Sequence, residues 1–312
     1  MIDVDSLSKE WLAERRKTQG GDPELIEKMI HALYLLEQLK LTGLDFIFKG
    51  GTSLILLMDQ PSRFSIDLDI IVSPDITREK LEEFLNKIAI NTNVFIRIQL
   101  DEKRSYKNGI PKAHYSFFFN SSLVIPNKES QISPNPEREI SLDILFVENP
   151  YPVLLEKPFD NEWIKLKGEP LTVKTPCVNS ITGDKLTAFA PNTTGVPYHR
   201  KSINKDGLEF QNEMFKEVIK QLFDISCLFE AVDDIGNFRK AYEKIAQEEI
   251  KYRIERNIKS QEEVLNDTIS TALILAMRDK HTTDSDIQNF AYLSQGINQF
   301  KSFVYTGHFR IE

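Results

Sequence analysis

Two aspartates, Asp67 and Asp69, stand in the run Ser65-Ile66-Asp67-Leu68-Asp69-Ile70-Ile71-Val72. Apolar residues separate and follow them, so residues 68–72 read as a strand, and side chains two apart on a strand project from the same face. Two parallel carboxylates repel each other unless a positive charge sits between them. A divalent cation meets that need, and magnesium prefers oxygen ligands. A third aspartate, Asp143, lies in another apolar run, Ile140-Ser141-Leu142-Asp143-Ile144-Leu145-Phe146. There a carboxylate facing a core would be costly. If the two strands were neighbours, three carboxylates could hold two metal ions about 4 Å apart, an arrangement that activates an attacking hydroxyl and stabilises a leaving pyrophosphate.

The other half of such a site is Gly50-Gly51-Thr52-Ser53, which follows the short apolar strand 46–48. Glycines at a helix entrance let backbone N–H groups approach phosphate oxygens, and the helix N-terminus favours the anion. Thr52 and Ser53 add hydroxyl donors. Taken singly, Asp-x-Asp can end a strand in solvent and Gly-Gly can be a simple turn. Their succession, followed by a strand aspartate, points to phosphate and metal chemistry.

The elements that must position these residues follow from periodicity. Helices are expected over 5–16 and 23–42, the second with Leu25, Ile26, Met29, Ile30, Leu33, Leu36 and Leu39 at three- and four-residue spacing. Gly20-Gly21-Asp22-Pro23 separates them, with proline just inside a helix start. A helix over 52–58 and a turn at 60–62 lead to the strand at 68–72, and an amphipathic helix spans 77–90. Strands are expected over 94–100, 113–119 and 139–147, with connections at 107–109 and 127–138. A strand at 171–175 ends at Pro176, and beyond it the chain reads as helices over 179–190, 208–231, 234–257, 261–278 and 284–298. Residues 191–207 read as an exposed loop. The expected fold is α/β (α+β): a mixed sheet with flanking helices over 1–176, then a helical C-terminal domain over 177–312, with the active site in the cleft between them.

Composition sets limits on function. The 312 residues allow two domains, and 41% hydrophobic with 28% charged residues is ordinary for a globular protein. No apolar run is long enough to span a bilayer, and the acidic start Met1-Ile2-Asp3-Val4-Asp5 lacks a signal-peptide core. Cys177 and Cys227 form no CxxC pair, which argues against a disulfide framework or a zinc site and fits a cytoplasmic location. A net charge of −8 argues against non-specific coating of nucleic acid, though not against one local basic face. Two such faces stand out. Arg97, Lys103, Arg104, Lys107 and Lys112 surround a hairpin with Tyr106 and Tyr115 interleaved, and His199-Arg200-Lys201 with Lys205 forms a second basic stretch. Such groups can contact phosphates and stack on unpaired bases. The five histidines, His31, His114, His199, His281 and His308, have no metal-binding spacing and read as structural or exposed.

Lys49-Gly50-Gly51-Thr52-Ser53-Leu54, followed by Arg63-Phe64-Ser65-Ile66-Asp67-Leu68-Asp69, resembles the AbiEii/MenT family of nucleotidyltransferases, within the DNA polymerase β-like superfamily. The resemblance is specific over 48–72 and looser, but in order, over most of the remaining chain. It implies a polymerase β-like core, transfer of an NMP from an NTP to an acceptor hydroxyl, and magnesium (or manganese) as cofactor. Several family members are toxins of toxin–antitoxin or abortive-infection systems, and some add nucleotides to the 3′ end of tRNA. The partners implied are therefore an NTP, an RNA acceptor and a cognate antitoxin, with no membrane. Carried onto this sequence, the resemblance makes Asp67 and Asp69 the metal-binding pair, with Asp143 as a further metal ligand or as the base. It makes Gly51 and Thr52 the phosphate turn, to which the residue pattern itself adds Gly50 and Ser53, and Arg63 and Ser65 the residues preceding the pair. Lys185 corresponds to the family's triphosphate-binding lysine, and Asp224 to its downstream helical aspartate. In that last helix Lys220-Gln221 stands where the family has Arg-Asp, and residues 191–207 form an apparent insertion. A protein or small-molecule hydroxyl as acceptor is the alternative within the same chemistry. A non-catalytic nucleotide- or partner-binding module is the alternative outside it.

Overall fold

Helix α2 (Pro23–Leu41) is the central support of the first half of the chain. Asp22 caps it by accepting hydrogen bonds from the Glu24 and Leu25 N–H groups, and Pro23 occupies the first turn. Apolar residues surround it on nearly every side, and Ile26, Met29, Ile30, Leu33, Leu35, Leu36 and Leu39 are wholly buried. Such a helix belongs in an interior. The structure, a computed structural model, describes residues 1–58, 62–107, 110–123, 136–203, 208–278 and 280–305. Gln60 and Pro61 of the expected turn, the Asn108-Gly109 connection, most of the 127–138 connection, Lys205 and His308 lie outside the described residues.

The chain divides into two compact units, residues 1–149 with 154–176, and residues 150–153 with 177–312. In the first, strands β1 (Ile47–Lys49), β2 (Leu68–Val72), β3 (Phe95–Leu100), β4 (Lys112–Asn120), β5 (Glu137–Phe146), β6 (Leu154–Pro158) and β7 (Thr172–Pro176) form one mixed sheet. Their order is β3-β4-β5-β2-β1-β7-β6. β2 is parallel to β5 and antiparallel to β1, and β7 is parallel to β1. One face is apolar: Leu68, Ile70, Leu142, Ile144, Ala113 and Phe117 are at most 1% exposed. The alternate residues of β2, β4 and β5 form a more open face, which carries Asp69, Asp143 and His114.

Several elements differ from expectation. The first helix begins at Lys9 (α1, Lys9–Gln19), because Ser8 accepts from the Trp11 N–H and caps it; Val4–Leu7 is a short 3-10 turn. α3 is a single turn (Leu54–Leu57), and α4 covers Arg78–Asn91. β6 was not legible as a strand: Leu-Leu-Glu-Lys-Pro has little alternation, and its proline suits the edge position it takes.

The second unit contains α5 (Val178–Ala188), α6 (Phe215–Phe229), α7 (Ile235–Lys251), α8 (Gln261–Met277) and α9 (Asp284–Phe300). Its core gathers Phe189, Phe215, Val218, Ile219, Leu293, Ile297 and Phe300. The expected 191–207 loop is partly a strand, β8 (His199–Ile203), paired antiparallel with β9 (Glu209–Glu213). The helix expected from 208 therefore starts at Phe215, since 209–213 spend their backbone bonds on the partner strand.

One buried histidine makes stability depend on pH. His31 stacks on Phe119 with ring centroids 3.7 Å apart, and its Nδ1 donates to the Glu27 carbonyl at 2.8 Å. Burial lowers its pKa to about 4, with nearby Arg138 acting in the same direction. On acidification the unfolded chain binds a proton near the ordinary value of about 6.5, whereas the folded chain resists until about 4. Stability should therefore fall as pH drops from about 6.5 to about 4, by roughly 3 kcal/mol in total from this group. His31→Phe, which keeps the stack, is expected to flatten melting temperature against pH in that window. An unchanged slope would refute this assignment.

Candidate functional site in the mixed sheet

The site residues of the first unit are arranged by strand register. Lys49 is the Cα partner of Asp69, Asp69 of Asp143, and Asp143 of His114. Residues directly opposite on neighbouring strands share a face. A row Lys49–Asp69–Asp143–His114 thus crosses four adjacent strands, β1, β2, β5 and β4. Asp67 immediately precedes β2 and is exposed, while Asp69 and Asp143 are partly exposed.

The Gly50-Gly51 turn follows Lys49 directly. Gly50 has φ +79°, a left-handed conformation that favours glycine, and a Cβ there would collide with the Asp69 carboxylate. Asp69 therefore lies directly against the turn. A Cβ on Gly51 would meet the guanidinium of Arg63. Arg63 is 5% exposed and donates through Nη1 to the Phe64 carbonyl at 2.8 Å, so it braces the turn from within the fold.

Thr52 and Ser53, expected as phosphate donors, are turned inward, each fully buried. The Thr52 hydroxyl donates to the Asp67 carbonyl and lies 2.8 Å from Ser65 Oγ; Ser53 Oγ donates to the Gly50 carbonyl at 2.8 Å. Thr52 thus ties the turn to the segment that bears the aspartates, and Ser53 closes the turn on itself. Because α3 has four residues, its dipole is small, and any anion held here relies on the backbone of the turn.

Among the described residues, no three His, Cys, Asp or Glu side chains stand together as a ready-made metal cluster. Adjacent Asp69 and Asp143 nevertheless suit magnesium, which commonly takes one or two carboxylates and completes its octahedron with water and substrate phosphates. The donors fit a cation that arrives with a triphosphate better than a permanent all-protein cage.

In the second unit, Lys185 on α5 is 7% exposed and Asp224 on α6 is 1% exposed. Lys185 Nζ lies 2.8 Å from Asp224 Oδ2 and donates to Gln221 Oε1 at 3.1 Å. Asp224 is thus the buried ion-pair partner of the lysine. Gln221, a departure from the family motif, supplies a second acceptor.

Two residues of the row were not expected as site residues. Lys49 carried no signal beyond adjoining Gly50. His114 shares the parity of Lys112 and Ser116 in an alternating strand, the one hint that it faces the open side. The first basic face is also altered. Tyr115 is buried and its hydroxyl lies 3.1 Å from that of Tyr106, so it is not presented to bases. Arg97 is paired with Glu137 and lies over the Phe118 ring.

Comparison with known proteins fixes the class. The sequence profile of the family described as nucleotidyl transferase AbiEii toxin, type IV toxin–antitoxin system, matches residues 34–295, and the chain belongs to that family. It is accordingly a nucleotidyltransferase. Among solved structures, MenT4, a nucleotidyltransferase toxin from Mycobacterium tuberculosis H37Rv, is similar at 13% identity and a TM-score of 0.44, covering 93% of this chain and 98% of that one. An antigenic nucleotidyltransferase-like protein from Paracoccidioides brasiliensis is similar at 11% identity and a TM-score of 0.36, covering 75% and 94%. No curated protein sequence matches the chain. Among the described residues, no helix is long and apolar enough to cross a membrane.

Proposed function

We propose that the chain transfers a nucleoside monophosphate from an NTP to the 3′ hydroxyl of an RNA, with tRNA as the favoured acceptor, and that it does so as a toxin restrained by a cognate antitoxin. The observation that carries the chemistry is the register that sets Asp69 beside Asp143 and against the Gly50 turn. Family membership supports the toxin role. Exposed Arg200 and Lys201 on β8 support an RNA acceptor, as side chains of the kind that contact phosphates.

In this reading the acceptor hydroxyl attacks the α-phosphorus in line, the bond to the bridging oxygen breaks, and pyrophosphate leaves. Asp69 and Asp143, with Asp67 beside them, would hold magnesium, whose charge when bound offsets that on the α-phosphate and the pyrophosphate. The backbone of Gly50 and Gly51 cradles phosphate oxygens, Arg63, Thr52, Ser53 and Ser65 keep that turn in shape, and Lys185 offers a cation to the triphosphate. Positioning and charge stabilisation supply most of the rate.

The test is to incubate purified protein with each α-labelled NTP, total RNA and magnesium. Label should enter a tRNA-sized band that ribonuclease removes, and EDTA should prevent it. Label that survives ribonuclease but not protease would replace RNA by a protein acceptor. Undiminished transfer in EDTA would refute the metal assignment, and no label from any NTP would refute the substrate assignment.

A further inference from the structure

Asp143 does not stand in the row on its own. His114 Nδ1 lies 2.6 Å from Asp143 Oδ1. A carboxylate can only accept, so Nδ1 carries the proton and donates. The ring is well fixed. Its side chain is 14% exposed, against 33% for Asp143. The His114 backbone is held from the opposite side, its N–H donating to Ser105 Oγ at 2.8 Å and its carbonyl accepting from the Asp101 N–H at 2.9 Å.

The contact adds little to strand pairing. β4 and β5 are already paired from Lys112–Leu145 to Asn120–Glu137, and one more side-chain hydrogen bond on a partly open face adds little to that ladder. Its consequence lies in geometry. With Oδ1 engaged by the ring, rotation of the Asp143 carboxylate is restrained at the position that pairs in register with Asp69. Carboxylates that bind metals are commonly oriented in this way by a second group.

We infer that His114 is a positioning residue for Asp143, fixing its carboxylate rotamer so that one defined oxygen serves the Asp69–Asp143 pair. The inference rests on the nucleotidyl-transfer reading of that pair. The geometry also says which substitution should succeed. Asparagine places an amide nitrogen where Nδ1 now stands, whereas glutamine carries its amide out to the Nε2 position.

The full chain is tested as His114→Ala, His114→Asn and His114→Gln, with equal melting temperatures as the check on folding. Turnover should fall about tenfold to a hundredfold in the alanine and glutamine variants, KM for NTP should change by less than about threefold, and asparagine should recover most of the loss. Separately, manganese binding in the presence of a non-hydrolysable NTP analogue, followed by electron paramagnetic resonance, should weaken about tenfold in His114→Ala and return in His114→Asn. The inference is overturned if alanine keeps both quantities near wild type, or if asparagine does no better than glutamine. Wild-type protein that transfers no nucleotide would sink the functional reading instead, and the manganese titration would still decide the role of His114.

Discussion

Asp69→Asn is expected to lower nucleotidyl transfer by at least about a thousandfold, equivalent to roughly 4 kcal/mol of transition-state stabilisation, while leaving the melting temperature near wild type. The substitution keeps shape and removes charge. Asp69 lies on the open face of β2, with Leu68 and Ile70 packing the opposite face, so no core contact is lost. It also pairs in register with Asp143, and neutralising one of two adjacent carboxylates relieves repulsion. Asp69→Glu makes the sharper test. It retains the charge but lengthens the side chain against the turn, where even a Cβ on Gly50 would already overlap the carboxylate. A shift of about 1 Å costs on the order of a hundredfold in a preorganised site, so this variant should also be severely impaired. Transfer of labelled nucleotide by Asp69→Asn within about tenfold of wild type, at an equal melting temperature, would remove Asp69 from the chemistry.

How much of this site the sequence discloses depends on the range of the interaction concerned. The Gly50-Gly51 turn and the Asp67-Leu68-Asp69 alternation are local patterns, and each is legible from its neighbours. Helix α2 is legible for the same reason, since its apolar positions repeat within a turn. The adjacency of Asp69 and Asp143 is different. It depends on β2 and β5 lying side by side in parallel, with α4, β3 and β4 between them in the chain. Strand partners are not written in either strand, and a slip of one residue would put Asp143 on the other face. His114 was legible only as one polar position in an alternating strand; its role follows from a partner 29 residues away. Thr52 and Ser53 illustrate the converse. Hydroxyls beside a phosphate-like turn suggest ligand donors, yet the chain uses Thr52 to join the turn to the Asp67 backbone and Ser53 to close the turn on Gly50. The β8–β9 hairpin escaped notice because its strands are largely polar and exposed, so no buried face sets a clear period.

The other large effect is expected at Lys185 and Asp224. Both are nearly inaccessible, with side chains 8% and 1% exposed and 2.8 Å between Nζ and Oδ2. An ion pair taken out of water is costly to break from one side, because the surviving charge is left buried, and typical losses are about 3–5 kcal/mol. Asp224→Ala should therefore lower the melting temperature by roughly 10 °C and depress transfer as well, because the lysine loses the group that aims it. Gln221 Oε1, 3.1 Å from Nζ, offers only a neutral acceptor in compensation. The double variant Lys185→Met with Asp224→Leu separates the two consequences. Replacing a buried pair by apolar side chains of similar volume is often neutral for stability, so the melting temperature should recover. Transfer should not recover, since no cation is restored. A double variant that is both stable and active would show that Lys185 has no part in holding the triphosphate. An Asp224→Ala protein that melts with wild type would show that the pair is solvated in solution, and the case for Asp224 as the residue that positions Lys185 would fall with it.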